Sequence, residues 1–462
     1  MNQATTPEIL GCEPLIIGHK SRAEITELVA HPLDHFPNKI WFALLAVSLS
    51  AFAIGLGCIA WLIYKGIGVW GNNNPVGWGF DIVNFVFWIG IGHAGTLISA
   101  ILFLFRQKWR CAINRAAEAM TIFAVMCAGI FPAIHVGRVW FAWYLFPLPT
   151  QQNLWVNFRS PLLWDVFAVS TYLTVSALFW YMGLVPDLAT LRDRTKNPVK
   201  KTIYSILSLG WRGASRQWKH YESAYMIFAG LSTPLVLSVH SIVSFDFATS
   251  VMPGWHTTIF PPYFVVGAIF GGFAMVLLLL SVTRKVFHFE NIITISHLDA
   301  MNKIILFCSL VIGLAYATEF FIAWYSSNSF EYYTFVNRML GPYGWCYWIM
   351  VLCNVMAPQI MWFRKYRRNI LVMIIVSFLV TIGMWFERFV IIATSLSRDY
   401  LPSSWDMYYP TRFDFGVLLG SFGLFFTLYL IFVRVLPALS VSELKGILKS
   451  SNPKGEVDDV QA

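Results

Sequence analysis

The sequence predicts an all-α integral membrane protein with ten transmembrane helices, arranged as two parallel-repeated four-helix bundles plus two peripheral helices. Composition is the first observation behind this prediction. Of the 462 residues, 57% are hydrophobic and only 12% are charged, whereas soluble domains carry about 25% charged residues. Ten long apolar runs are the second observation, and a weak internal repeat is the third. The composition excludes an ordinary soluble enzyme, a disordered chain and a nucleic-acid-binding polymer.

Each apolar run is long enough to cross a bilayer core, which takes about 20 residues in a helix. We number the runs spans 1 to 10, and they cover residues 40–64, 80–105, 117–146, 161–186, 222–247, 257–283, 304–325, 343–363, 370–393 and 413–436. A soluble protein with buried helices does not fit, because such helices keep a charged face. Residues 1–39 carry eight charges and no apolar run. They predict a cytoplasmic N-terminal segment without a cleavable signal peptide.

The basic residues predict how the spans are oriented. The loops after spans 2, 4, 6 and 8 hold 19 Lys and Arg residues, whereas the loops after the odd-numbered spans hold 5. By the positive-inside rule, both termini are therefore cytoplasmic, including the tail over 437–462. The net charge of +9 then marks topology and does not point to an anionic ligand. The longest loop, 187–221, is basic and partly amphipathic, so we expect it to lie on the cytoplasmic membrane surface, with partner binding as the alternative.

A weak repeat divides the chain. The sequence AEAM at 117–120 resembles LDAM at 298–301, and P-x-x-W at 161–164 matches 342–345, both 181 residues apart. An ATS motif near the end of each unit recurs after 145 residues, because the loop after span 4 has a shorter counterpart. The repeat predicts one bundle over 80–250 and a second over 255–395, with peripheral helices at 40–64 and 413–436. The first bundle holds more ionisable residues, so we expect it to be active and the second to be mainly structural.

Placing an ionisable side chain inside a membrane costs free energy, so such residues usually have a functional role or a paired partner. Four of them reach the same outer half of the membrane in the predicted topology. His135 lies about ten residues, or roughly 15 Å, inside the outer end of span 3. Asp165 lies in the first turn of span 4, Asp246 at the outer end of span 5, and Arg388 near the outer end of span 9. Arg138 follows His135 by three residues, so we expect the two to share a helix face.

Histidine and aspartate near one membrane face suit quinol chemistry. Oxidation of a quinol releases two electrons and two protons, and each hydroxyl needs an acceptor whose pKa lies near neutrality. We therefore predict His135, Asp165 and Asp246 as catalytic residues. A pair that only bonds two helices together is the structural alternative. The seven cysteines form no C-x-x-C motif, so the sequence predicts no metal site and no c-type haem attachment.

A second group of ionisable residues extends toward the middle of the membrane or its cytoplasmic side. We predict a proton path through His93, Glu118, Asp299 and Glu319. Because Glu118 and Asp299 lie near helix ends, they fit a cytoplasmic surface position equally well. Glu319 lies deep in span 7.

Three other functions stay open from the residues alone. A haem-b protein needs two facing histidines, and the spans contain only His93, His135 and His240. A secondary transporter also contains repeats, but these are often inverted and place polar groups at the midplane. A purely structural membrane anchor is the third alternative.

Three segments carry a resemblance to a known family: FPAIHVGR at 131–138, SPLLWD at 160–165 and HSIVSFD at 240–246. Over about residues 35–440 the chain resembles the polysulfide-reductase-type, or NrfD-like, quinone-binding membrane subunits. It is most similar to the ten-helix quinol subunit of bacterial alternative complex III. The resemblance implies a protein of the bacterial inner membrane that holds no haem, metal or covalent cofactor. It implies menaquinol or ubiquinol as substrate near the periplasmic face.

The resemblance also implies roles and partners. By position, His135, Asp165 and Asp246 become quinol-site residues, with Arg388, Arg138 and His240 as substrate-binding residues. Electrons pass to an external iron–sulfur protein and then to multihaem c-type cytochromes, beside a second NrfD-like membrane subunit. The basic loop and the long N-terminus resemble the copy next to the iron–sulfur protein. Some family members move protons, which suits the predicted path, and the isolated chain is expected to be inactive.

Overall fold

The computed structural model describes residues 15–18, 20–256 and 258–448. These residues are helical without any strand, and they contain ten helices that are long and apolar enough to cross a membrane. The all-α membrane fold is thereby confirmed. Spans 1 to 10 are the helices Lys39–Lys65, Phe80–Leu104, Asn114–His135, Pro161–Arg194, Ser215–Ala248, Phe260–Val286, Ile295–Tyr325, Gly344–Trp362, Ile370–Thr394 and Arg412–Val435. Residues 1–14 of the predicted N-terminal segment 1–39 and residues 449–462 of the predicted tail 437–462 lie outside the described residues.

Local capping sets several helix starts. Span 4 begins with Pro161, whose missing N–H costs nothing at the first helical position. Span 1 begins where the Asn38 side chain accepts the Trp41 N–H at 2.9 Å. Span 10 begins with a capping box in which Thr411 and Asp414 satisfy each other's backbone N–H.

Span 3 is shorter than predicted, which corrects the expected depth of one site residue. We expected a helix to 146, but it ends at His135. Gly137 follows with φ of +79°, a conformation in which glycine commonly ends helices. The aromatic run that extended the apolar pattern forms a 3₁₀ turn over Val139–Leu145 instead.

Spans 2 to 9 form two rings of four with matching order. Spans 2, 3, 4 and 5 pack in sequence, with span 5 returning to span 2, and spans 6 to 9 pack in the same way. Span 2 contacts span 6 at the junction between the rings. In the central window of span 2, 94% of the residues are buried, compared with 11% in span 1. The matching order supports our proposal that residues 80–250 and 255–395 are two copies of one unit.

Spans 1 and 10 form a pair beside the first ring. Gly55 and Gly420 face each other so closely that a Cβ on either would collide with the backbone of the other. The pair is fastened to the ring through Ser421, whose hydroxyl accepts the Trp88 indole N–H at 2.9 Å. Span 1 is otherwise largely exposed, which suits a helix whose outer surface contacts lipid.

One end of the molecule, the basic end, carries the loops after spans 2, 4, 6 and 8. The N-terminal helix Arg22–Asp34, the helix Pro198–Leu207 and the C-terminal helix Val441–Gly446 also lie there. Arg194 at the end of span 4 holds the N-terminal helix by donating to Glu27 at 2.9 Å. Helix Pro198–Leu207 has exposed Ile203 and Ile206, as expected for an amphipathic segment on a membrane surface.

Candidate functional site at the outer ends of spans 2 to 5

Two carboxyl groups face each other at the end of the first ring opposite the basic end. Asp165 lies in the first turn of span 4, and Asp246 lies in the last turn of span 5. Because spans 4 and 5 pack against each other in opposite directions, the two carboxyl groups come close enough to influence each other's charge. Asp165 is 6% exposed, and one oxygen of each carboxyl has no hydrogen-bond partner among the described residues. Such a pair can accept and share a proton.

His135 is held by a carboxylate that the sequence pattern did not indicate. Its Nδ1 hydrogen-bonds to Oδ2 of Asp81, in the first turn of span 2. Asp81 is only 3% exposed, and its Oδ1 accepts the Gly79 N–H at 3.1 Å. The Asp81 contact orients the imidazole and leaves Nε2 as the second nitrogen for proton transfer. The His135 side chain keeps 30% exposure because it is the last residue of its helix, so the expected depth of roughly 15 Å was wrong.

Arg138 does not share a helix face with His135, as we had expected. Span 3 ends at His135, and Arg138 precedes the 3₁₀ turn that follows. The three-residue spacing therefore no longer places the two side chains one above the other. Arg138 is exposed at the outer end of the ring.

His240 pairs with His93 deeper in the ring. Their Nδ1 atoms lie 2.6 Å apart, and the two residues are 1% and 0% exposed. The Nε2 atoms have no partner among the described residues. The two imidazoles hydrogen-bond directly, at a separation that leaves no room for a haem iron between these nitrogens.

Arg388 lies in the second ring and pairs with its neighbour Glu387. Their side chains are 3.1 Å apart, and the guanidinium lies 4.1 Å from the centre of the Phe264 ring on span 6. Glu387 also accepts hydrogen bonds from Tyr316 and from Asn354. The polar partners described for Arg388 thus belong to this second-ring cluster and do not include His135, Asp165 or Asp246.

Glu118 is part of a buried network and is no surface group. It is 1% exposed and accepts hydrogen bonds from Ser99 at 2.5 Å and from Tyr225 at 3.2 Å. Arg115, one turn away, lies 3.3 Å from Glu118 and 3.1 Å from Asp187 on span 4. Sequence patterns did not indicate that Arg115 and Asp187 are buried, because charged residues at helix ends are usually solvated.

Asp299 and Glu319 lie at opposite ends of span 7. Asp299 forms ion pairs with Arg367 at 2.7 Å and Lys303 at 3.3 Å at the basic end, which favours its surface alternative. Glu319 lines a cavity of about 150 Å³ together with His256 and other residues of the opposite end. Glu319 therefore lies toward the end away from the basic loops, and its part in a proton path remains a prediction.

Comparisons with known proteins identify a family and several relatives. The family model "Polysulphide reductase, NrfD" matches residues 68–398, which include spans 2 to 9. A selenate reductase component of Mesobacillus selenatarsenatis is 22% identical over 79% of this chain and 86% of its own length. An Hdr-like menaquinol oxidoreductase integral membrane protein of Archaeoglobus fulgidus is 23% identical over 69% of this chain and 70% of its own.

A Halobacterium salinarum protein described as a membrane component of a dimethyl sulfoxide reductase is 24% identical. That match spans 51% of this chain and 50% of the relative's length. The chain therefore covers only about half of this relative.

Proposed function

Because the chain belongs to the polysulphide reductase NrfD family, we propose that it is the quinol-binding membrane subunit of a respiratory oxidoreductase. In this proposal it oxidises menaquinol or ubiquinol near the periplasmic face of a bacterial inner membrane, with both termini cytoplasmic. The observation that carries the proposal is that Asp165 and Asp246 lie at the same end of the first ring, each with a carboxyl oxygen that has no partner among the described residues. They lie in the family-matched region, at the end away from the basic loops. That end is periplasmic by the positive-inside rule.

In this proposal, each of the two protons released by the quinol has its own acceptor in the site. A quinol loses two protons and two electrons to become a quinone. One hydroxyl proton passes to the Asp165–Asp246 pair, and the other passes to Nε2 of His135. Asp81 orients the imidazole and stabilises its protonated form through the Nδ1 contact. Arg138, exposed at the same end, contributes to substrate binding from the rim of the site.

The electrons leave the membrane protein. In our proposal they reach an external iron–sulfur protein and then multihaem c-type cytochromes, and a second NrfD-like protein completes the membrane part. Names of the relatives support a multisubunit oxidoreductase, because one is a subunit of a selenate reductase and another is an integral membrane subunit of a menaquinol oxidoreductase.

We also propose a proton path along span 2. His93, Thr96 and Ser99 are spaced by three residues, so they lie on one side of the helix over about 9 Å. Each has a polar partner on a neighbouring span. His93 bonds to His240, Thr96 donates to Ser176 at 3.0 Å, and Ser99 donates to Glu118. The path continues through Glu118 toward the basic end.

Other predicted polar residues have separate places in this proposal. His240 acts in the path, behind the substrate site, because its polar contact is with His93. Arg388 pairs with Glu387 in the second ring and stays outside the path. Asp299 and Glu319 stay outside it, because their contacts lie at opposite ends of span 7.

The test measures menaquinol oxidation by the complex purified from membranes. Asp165→Asn and His135→Phe should each lower turnover by about a hundredfold, the scale of a lost acid–base group, while the complex still assembles. Asp406→Asn is the matched control, because it removes an exposed carboxylate from the same end. Normal turnover in both site variants would overturn the assignment and favour a structural anchor.

A further inference from the structure

A large cavity lies at the basic end of the molecule, away from the proposed quinol site. It has a volume of about 400 Å³. Its walls are formed by the first residue of the N-terminal helix, the end of span 4, the loop before span 5 with the first turn of that span, and the C-terminal helix. No step of the proposed quinol chemistry uses this cavity.

The cavity has an excess of positive charge. Arg22 and Arg212 line it from two different segments of the chain. Asp193 is the acidic residue in the lining, and Arg192 already neutralises it through two hydrogen bonds of 2.7 and 3.1 Å. The charge therefore favours an anion in the cavity.

A buried carboxylate, that of Asp187, lies next to the cavity lining and has partners of its own. Asp187 accepts the backbone N–H of Ser442, a lining residue, at 2.9 Å. The Arg115 guanidinium lies 3.1 Å from the same carboxylate and compensates its charge. These two contacts reduce the negative charge that Asp187 presents to the cavity.

Neighbouring residues indicate that the cavity lies at the level of the lipid headgroups. Trp211 and Trp218 line it and pack edge to face at 5.0 Å. Tryptophan prefers the boundary between water and hydrocarbon. Helix Pro198–Leu207 precedes Trp211 and exposes Val199, Ile203 and Ile206, an apolar surface suited to lie in the membrane interface.

We propose that this cavity binds the phosphate headgroup of an anionic phospholipid. Arginine guanidinium groups match phosphate oxygens in geometry and charge, and basic pockets at the cytoplasmic ends of helices suit such headgroups. The exposed apolar face of Pro198–Leu207 favours a lipid over free phosphate, because it lies where acyl chains would run. The bound lipid would join the N-terminal helix, the span 4–span 5 connection and the C-terminal helix.

The test uses the full chain purified in detergent and native mass spectrometry with added lipids. Phosphatidylglycerol should bind about tenfold more tightly than phosphatidylcholine, from the attraction of roughly two cations for an anionic lipid. The double variant Arg22→Gln with Arg212→Gln should lose this preference. Lys108→Gln with Lys285→Gln is the matched control, because it removes two exposed charges from the same end outside the cavity. The control should keep the preference.

Three results would overturn the proposal. The first is equal binding of the two lipids by the unchanged protein, a measurement that does not depend on any variant folding. The second is an equal loss of preference in the control. The third is full displacement of phosphatidylglycerol by millimolar inorganic phosphate, which would identify a site for small anions.

Discussion

Asp187→Asn should destabilise the protein strongly although it lies far from the proposed quinol site. Asp187 is fully buried at the end of span 4. Its carboxylate receives a charged hydrogen bond from Arg115 at 3.1 Å and the Ser442 N–H at 2.9 Å. An asparagine keeps the size and can still accept the Ser442 N–H. The substitution therefore removes mainly the charge that compensates Arg115.

The magnitude follows from what Arg115 retains. Its guanidinium is 1% exposed, so water cannot replace the lost carboxylate. Removing one partner of a buried ion pair costs about 3–5 kcal/mol. Arg115 keeps Glu118 at 3.3 Å and the Gly183 carbonyl at 2.7 Å. We therefore expect a loss at the lower end, about 3 kcal/mol.

The assay is thermal unfolding of the purified protein in detergent. A loss of this size corresponds to a fall in Tm of about 5 °C. Asp193→Asn is the control on the same helix, because Asp193 is 68% exposed and pairs with Arg192. An exposed pair contributes less than about 1 kcal/mol, so the control should barely move Tm. Equal shifts in the two variants would refute the argument that burial sets the cost.

Two further predictions concern packing and topology. Gly55→Ala places a Cβ against Gly420 and should cost about 1–3 kcal/mol by overpacking, whereas Gly57→Ala meets open space and should leave Tm nearly unchanged; similar shifts would contradict the close contact. A cysteine at Gln152, in the loop after span 3, should react with an impermeant maleimide on intact cells. A cysteine at Lys196 should react only after permeabilisation, and the reverse pattern would overturn the proposed orientation.

The fold could be predicted from the sequence because a long apolar run in a bilayer is stable as a transmembrane helix, which satisfies its own backbone hydrogen bonds. The end of span 3 was the largest error in a helix boundary. The aromatic run after His135 reads as apolar, so hydropathy extended the helix through Gly137, whereas the positive φ of that glycine ends it. A turn that interrupts an apolar run is a matter of backbone conformation, which average hydropathy does not report.

The candidate site could be predicted from the sequence only in part. The repeat and the topology brought Asp165 and Asp246 to the same end, since neighbouring antiparallel helices align their outer turns. The carboxylate of Asp81 and the ion pair between Arg115 and Asp187 were missed because all three lie near helix ends. Charged residues there are solvated in most proteins, and only the packing of other helices around them reveals their burial.

The most direct test of the central claim is photolabelling of the membrane-embedded complex with an azido-quinone, followed by mapping of the labelled peptides. The proposed site predicts labels on peptides that contain Asp165 or Asp246, and competition by added menaquinol should remove them. Labels confined to peptides of the basic end, or labels that menaquinol does not displace, would contradict a quinol site at the outer ends of spans 4 and 5.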